Sequence, residues 1–174
     1  HHANSALYPF IAQLERAAGF QRNDTPAQRL EKLETLVAPS RPFCEHVVPL
    51  LASLLSLPAS DRYPLPPMPP QKRKQMTLEA LLAQLERLAG RLPVLMSFED
   101  AHWADPTSLE LLGMTIERLA RLPVLLVVTA RPEFSTPWPA HAHLTTLPLT
   151  RLSRRKNLAL IERRLGVVVD SRGN

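Results

Sequence analysis

The fold turns on the stretch Pro93-Val94-Leu95-Met96-Ser97-Phe98-Glu99-Asp100-Ala101-His102-Trp103-Ala104-Asp105-Pro106-Thr107-Ser108-Leu109. A short apolar run ends abruptly in two acids. Asp105 then stands where a helix N-cap is wanted, with Pro106 at the first helical position. Leu109, Leu112, Ile116 and Leu119 recur at helical spacing and give that helix a buried face. A second apolar run, Pro123-Val124-Leu125-Leu126-Val127-Val128, follows and ends in Thr129. The approach to each run repeats: Leu88-Ala89-Gly90-Arg91-Leu92-Pro93-Val94-Leu95 against Leu119-Ala120-Arg121-Leu122-Pro123-Val124-Leu125. Two copies are too few for a solenoid and have the length of strand-plus-helix units. Neither run alternates apolar with polar residues, so the expectation is a parallel sheet buried on both faces beneath helices. A third strand is expected near 144–148, and a last helix from about Ser153 to Leu165.

Upstream, the chain reads as helical from 1 to 57. Leu7, Phe10, Ile11, Leu14 and Ala18 mark a first helix, which Gly19 stops. Asp24 or Thr25 caps a second, with Leu30, Leu33, Leu36 and Val37 on its face. A third is expected over about 44–56, striped by Val47, Leu51, Leu54 and Leu55, with Pro49 near its start. Six prolines between 58 and 70 (Pro58, Pro64, Pro66, Pro67, Pro69 and Pro70) make an extended connection. Leu78, Leu81, Leu82, Leu85 and Leu88 then line a helix that ends at Gly90. The resulting division is a helical part (1–57), a proline-rich connection (58–70), an αβ core (71–165) and a tail (166–174).

Composition narrows the classes. The chain has 174 residues, 45% hydrophobic and 21% charged, enough for one domain with a real core and unlike a disordered or fibrous chain. A single cysteine, Cys44, excludes an intrachain disulfide and a thiolate metal cage, which fits the cytoplasm. No apolar run approaches the roughly 20 residues that span a bilayer. The chain opens His1-His2-Ala3 without an initiator Met or secretory leader, and a piece of a longer protein is expected. Net charge is +5, yet most basic residues sit beside acids, as in Glu15-Arg16, Glu86-Arg87 and Glu117-Arg118. Nucleic-acid binding therefore ranks below the other readings, despite denser basic stretches at Lys72-Arg73-Lys74 and Arg151 to Lys156.

In open parallel sheets, ligands sit at the carboxyl ends of the strands, where Glu99 and Asp100 fall. Two acids closing an apolar strand have the chemistry to hold Mg²⁺ and orient water beside a nucleotide. The bland alternative is a pair of solvated loop carboxylates. The Glu99-Asp100-Ala101-His102-Trp103-Ala104-Asp105-Pro106 block resembles the Walker B segment of STAND-type ATPases, relatives of the AAA+ group within the P-loop NTPase superfamily. It is similar to the version fused to bacterial class III adenylate or guanylate cyclases, and to the one in LuxR-type regulators. That family commonly has Asp as its first acid; Glu99 is one methylene longer. The resemblance implies ATP and Mg²⁺ as cofactors, with Glu99 and Asp100 at the metal and Asp100 polarising the attacking water. Val127-Val128-Thr129-Ala130-Arg131-Pro132 resembles the family's next strand, which makes Thr129 and Arg131 sensor candidates for phosphate.

None of the five glycines precedes a lysine, so G-x-x-x-x-G-K-[ST] is not in these 174 residues. The expectation is a P-loop upstream, attached signalling or effector domains, and weak ATP binding with negligible hydrolysis by this chain alone. The alternatives are a non-catalytic interaction scaffold with a degenerate nucleotide fold and a nucleic-acid-binding fragment. Among other residues, Trp103 is expected to pack at the helix entry, while His102 is open to two readings, a surface residue or a group near phosphate. His141 and His143 have two-ligand metal spacing without a third ligand. Cys44 reads as a small buried residue, and Ser97 lacks a nucleophile elbow.

Overall fold

The computed structural model describes residues 6–37, 41–58 and 61–149; for 41–43 it describes the backbone only. The described chain is mixed α/β, with α1 (Tyr8–Ala17), α2 (Pro26–Val37), α3 (Arg41–Leu54), α4 (Pro70–Ala89), β1 (Val94–Phe98), α5 (Pro106–Leu119) and β2 (Val124–Val128). A 3-10 turn, Ala101–Trp103, lies between β1 and α5. The chain divides into two compact units, residues 1–144 and 145–174. All of these elements belong to the first; the described part of the second, 145–149, carries no helix or strand.

The internal repeat is the register of the sheet. β1 and β2 are parallel, and Val94 pairs with Val124, Met96 with Leu126, and Phe98 with Val128. Burial along the strands corrects one expectation. Met96 and Phe98 point into the core, whereas Leu95 is 70% exposed and Leu125 65%. The uninterrupted apolar runs are thus covered on one face only, because no described element lies over the Leu95–Leu125 side. The strand expected near 144–148 is also not formed, and Pro148 would deny a ladder its donor there. The helix expected from Ser153 to Leu165 and the tail lie outside the described residues.

Helix ends follow the local chemistry. Thr25 and Gln28 form a reciprocal capping box at α2: the Thr25 amide donates to Gln28 Oε1 (2.8 Å), and the Gln28 amide to Thr25 Oγ1 (3.3 Å). Asp24 instead pins the preceding turn, accepting from Lys32 Nζ and the Gln21 amide. Gly19 has φ +69°, the left-handed stop its position called for. α3 begins earlier than expected, so Pro49 lies inside it rather than near its start. Pro49 has no N–H for that turn, and burial of Val47, Val48, Leu50 and Leu51 holds the helix regardless. Leu88, expected on the buried face of α4, is 38% exposed.

One apolar cluster joins these pieces, running from Leu33, Val37 and Leu51 through Leu78 and Leu82 to Leu111, Leu112 and Ile116. Polar ties reinforce it. Arg118 on α5 reaches Glu86 (2.8 Å) and Glu79 (2.6 Å) on α4. Buried Gln84 and half-buried Arg87 of α4 both donate to the Leu36 carbonyl at the last turn of α2.

Asp105 makes the tie nearest the strand ends. Its Oδ1 accepts from the Thr107 and Ser108 amides, both at 3.0 Å. Its Oδ2 accepts from Ser108 Oγ (2.5 Å) and from the amide of Leu7 at the start of α1 (3.1 Å). Burial works to raise the carboxyl's pKa, but the hydrogen bonds from Ser108, Leu7 and Thr107 together outweigh it and leave the pKa below the ordinary 3.8. A depressed folded-state pKa gives stability that is present above 3.8 and lost as pH falls through the folded value. Asp105→Ala should cost about 1–3 kcal/mol in urea unfolding at neutral pH, from the lost cap and the stranded Leu7 amide. Asp105→Asn should lose this carboxylate's share of the acid dependence below about pH 4, read as a flatter stability profile.

Candidate functional site at the strand tips

The parallel register brings the C-terminal tips of β1 and β2 side by side, so Glu99 and Asp100 lie next to Thr129. The contact is direct. The Asp100 amide donates to Thr129 Oγ1 at 3.0 Å. The Thr129 amide donates to the Phe98 carbonyl (3.0 Å), and the Ala101 amide to the Thr129 carbonyl (2.9 Å). Two of the four expected site residues, Asp100 and Thr129, are thus joined directly, and Glu99 precedes Asp100 on the same tip. Glu99 is exposed, and the Asp100 side chain is 73% exposed. Both carboxylates are free to meet a ligand.

Asp100 has φ 56° and ψ 44°, the left-handed region, and caps the 3-10 turn. A residue with a Cβ pays about 1–2 kcal/mol to sit there, and Asp is among the few that do so routinely. The turn sends Ala101 into the core, where it is fully buried.

One expectation at this turn is reversed, and one open reading is narrowed. Trp103 does not pack at the helix entry but is 73% exposed. His102 is not a surface residue: its side chain is only 11% exposed. Neither ring nitrogen of His102 has a hydrogen-bond partner, and Nδ1 lies 3.9 Å from Asp100 Oδ1. Arg131, the fourth expected site residue, extends from the tip of β2 with its guanidinium 5.2 Å from the centre of the Trp103 ring. That cation–π contact holds its charge beside the acid turn.

Other candidates lie apart from the tips. His143 Nε2 is 2.8 Å from the Ile116 carbonyl and serves as a hydrogen-bond partner, with the His141 ring 5.2 Å away. Among the described residues no group of three or more His, Cys, Asp or Glu could hold a metal ion. Cys44 is buried, and Ser97 faces outward on β1. The sequence reading missed the loop after β2, where Trp138 is buried and pairs with Phe134 (6.3 Å between rings). The clustering of Phe134, Trp138 and prolines was the available signal.

Comparison with known proteins adds one relative. An uncharacterized protein of Rhizobium meliloti is 41% identical over 83 residues, 48% of this chain. The match takes in 8% of that relative's length. No family model matches the chain, and no solved structure matches it. No helix among the described residues is long and apolar enough to cross a membrane.

The left-handed turn makes a direct prediction. Asp100→Ala should be less stable than Asp100→Gly by about 1 kcal/mol, because only glycine adopts this conformation without a Cβ penalty. Chemical denaturation of the two variants measures the difference.

Proposed function

We propose that the chain is part of an ATP-binding and ATP-hydrolysing switch module of a multidomain signalling protein, in the manner of the STAND-type ATPases. The observation that carries this reading is the pair of exposed carboxylates, Glu99 and Asp100, at the C-terminal tip of a parallel strand, beside Thr129 and Arg131 at the next tip. Mg²⁺ keeps much of its water and needs only one or two carboxylates besides the phosphates of its nucleotide. The donor set at the tips fits that demand. Glu99, with its longer side chain, would reach the metal's hydration shell. Asp100 would polarise the attacking water, and Arg131 would swing from Trp103 to phosphate charge. The long relative, matched over a small part of its length, supports a module within a larger protein. Attached effector domains, class III adenylate or guanylate cyclases among them, and a cytoplasmic setting belong to the same reading.

The second reading is a non-catalytic interaction scaffold. The observation in its favour is the uncovered apolar sheet face of Leu95, Leu125 and Val127. An apolar surface of this kind marks a contact with another element or protein.

Titration calorimetry with Mg-ATP separates the two. The 174-residue chain, which holds no P-loop sequence, should bind weakly and hydrolyse negligibly. A version extended upstream in its reading frame should bind at least about 100-fold tighter, since the phosphate cradle supplies most triphosphate contacts. In that version Asp100→Asn should spare binding and slow turnover about 100-fold or more. No binding by either form would establish the scaffold reading in its place.

A further inference from the structure

Thr129 gathers three hydrogen bonds at the strand tips, and they are not equivalent. The bonds from its amide to Phe98 and from Ala101 to its carbonyl use backbone atoms that any residue offers. The bond from the Asp100 amide uses the side-chain oxygen and needs a hydroxyl at this position. It reaches the one residue of the tip whose backbone is left-handed. A strained conformation persists where its surroundings over-determine it. Here the fully buried Ala101 fixes the far side of the turn, and Thr129 holds the near side.

We infer that Thr129 is a positioning residue, whose hydroxyl holds Asp100 in the left-handed turn and so sets the direction in which its carboxylate leaves the strand tip. The φ and ψ of residue 100 determine where its Cβ points. Without the hydroxyl, residue 100 relaxes toward the extended or right-handed regions and the carboxylate leaves its present place, where Oδ1 lies 3.9 Å from His102 Nδ1. This role is separate from a sensor contact with phosphate: the oxygen accepts from Asp100, and its own proton remains available to a ligand. Why the direction matters rests on the nucleotide reading above; the clamp itself does not.

The test uses the ¹³C,¹⁵N-labelled 174-residue chain and two variants, Thr129→Val, which keeps the shape and removes the acceptor, and Thr129→Ser, which keeps the acceptor. Amide hydrogen exchange is read without nucleotide or metal. Thr129→Val should speed exchange at Asp100 by about five- to tenfold, as loss of one hydrogen bond implies, with the paired strand amides changed less than twofold. Thr129→Ser should restore slow exchange. Unchanged exchange in Thr129→Val, or equally fast exchange in Thr129→Ser, overturns the clamp.

A Mg²⁺ titration followed by the Asp100 carboxylate ¹³C shift then reads positioning. Its midpoint should rise at least about threefold in Thr129→Val and recover in Thr129→Ser, as expected for part of one hydrogen bond's worth. An unchanged midpoint reduces Thr129 to a structural residue and overturns the inference. Should the wild-type carboxylate ignore both Mg²⁺ and Mg-ATP while the exchange results hold, the nucleotide reading fails and the clamp stands.

Discussion

The Asp105 carboxylate accepts four hydrogen bonds from two segments nearly a hundred residues apart, and the arrangement of the strand tips depends on it. Two bonds satisfy backbone donors that α5 leaves open at its first turn. The bond from Leu7 acts on the other end of the described chain. Leu7 itself has φ 63°, which a leucine does not adopt unaided. With its amide bound by Asp105 and its side chain buried, Leu7 starts α1 in a direction that lays Phe10 against Phe98, 5.8 Å between ring centres. Phe98 is the last residue of β1, so the same carboxylate fixes the start of α5 and the helix that supports the acid-bearing strand.

Much of this was legible in the sequence because the relevant physics is local. Period-3.6 apolar spacing placed α1, α2, α4 and α5, and Asp105-Pro106 marked the start of α5. The repeated Leu-Pro-Val-Leu approach foretold the parallel pair, and the register that forms matches the repeat residue for residue. What the sequence hid is non-local. An apolar run reports that a strand avoids water, but not whether its second face is met by an element of the same chain; among the described residues none covers Leu95 and Leu125. Pro49 misled for a related reason, since tertiary burial of its neighbours outweighs the propensity that placed it at a helix start.

At the site, residue types were readable and orientations were not. The acids could be named from the strand-end pattern, and Thr129 and Arg131 from the family resemblance, but the left-handed turn at Asp100 leaves no trace in composition. That turn also explains why His102 is covered and Trp103 is not. Once the chain turns back at Asp100 and buries Ala101, a three-residue-per-turn helix sends the next two side chains in different directions. His102 falls beneath the acid loop and Trp103 is left in solvent, where Arg131 covers it.

Three non-glycine residues among those described have positive φ: Leu7, Ser56 and Asp100. Two of them gather around the turn that follows β1, and each has its amide held by one side-chain oxygen, from Asp105 and Thr129 respectively. A loop needed only to connect a strand to a helix has no reason to retain a left-handed Asp, since an extended residue followed by an N-cap makes the same connection at lower cost. The conformation does bring two consecutive carboxylates to the rim of the sheet, with a guanidinium nearby that is bound to an aromatic face rather than to either acid. Charges arranged this way are left available to something outside the chain. A cation shared with an anionic ligand would satisfy both signs at once, whereas a purely apolar partner would satisfy neither, and on that ground the proposed nucleotide reading draws on the tips and the scaffold reading on the uncovered sheet face.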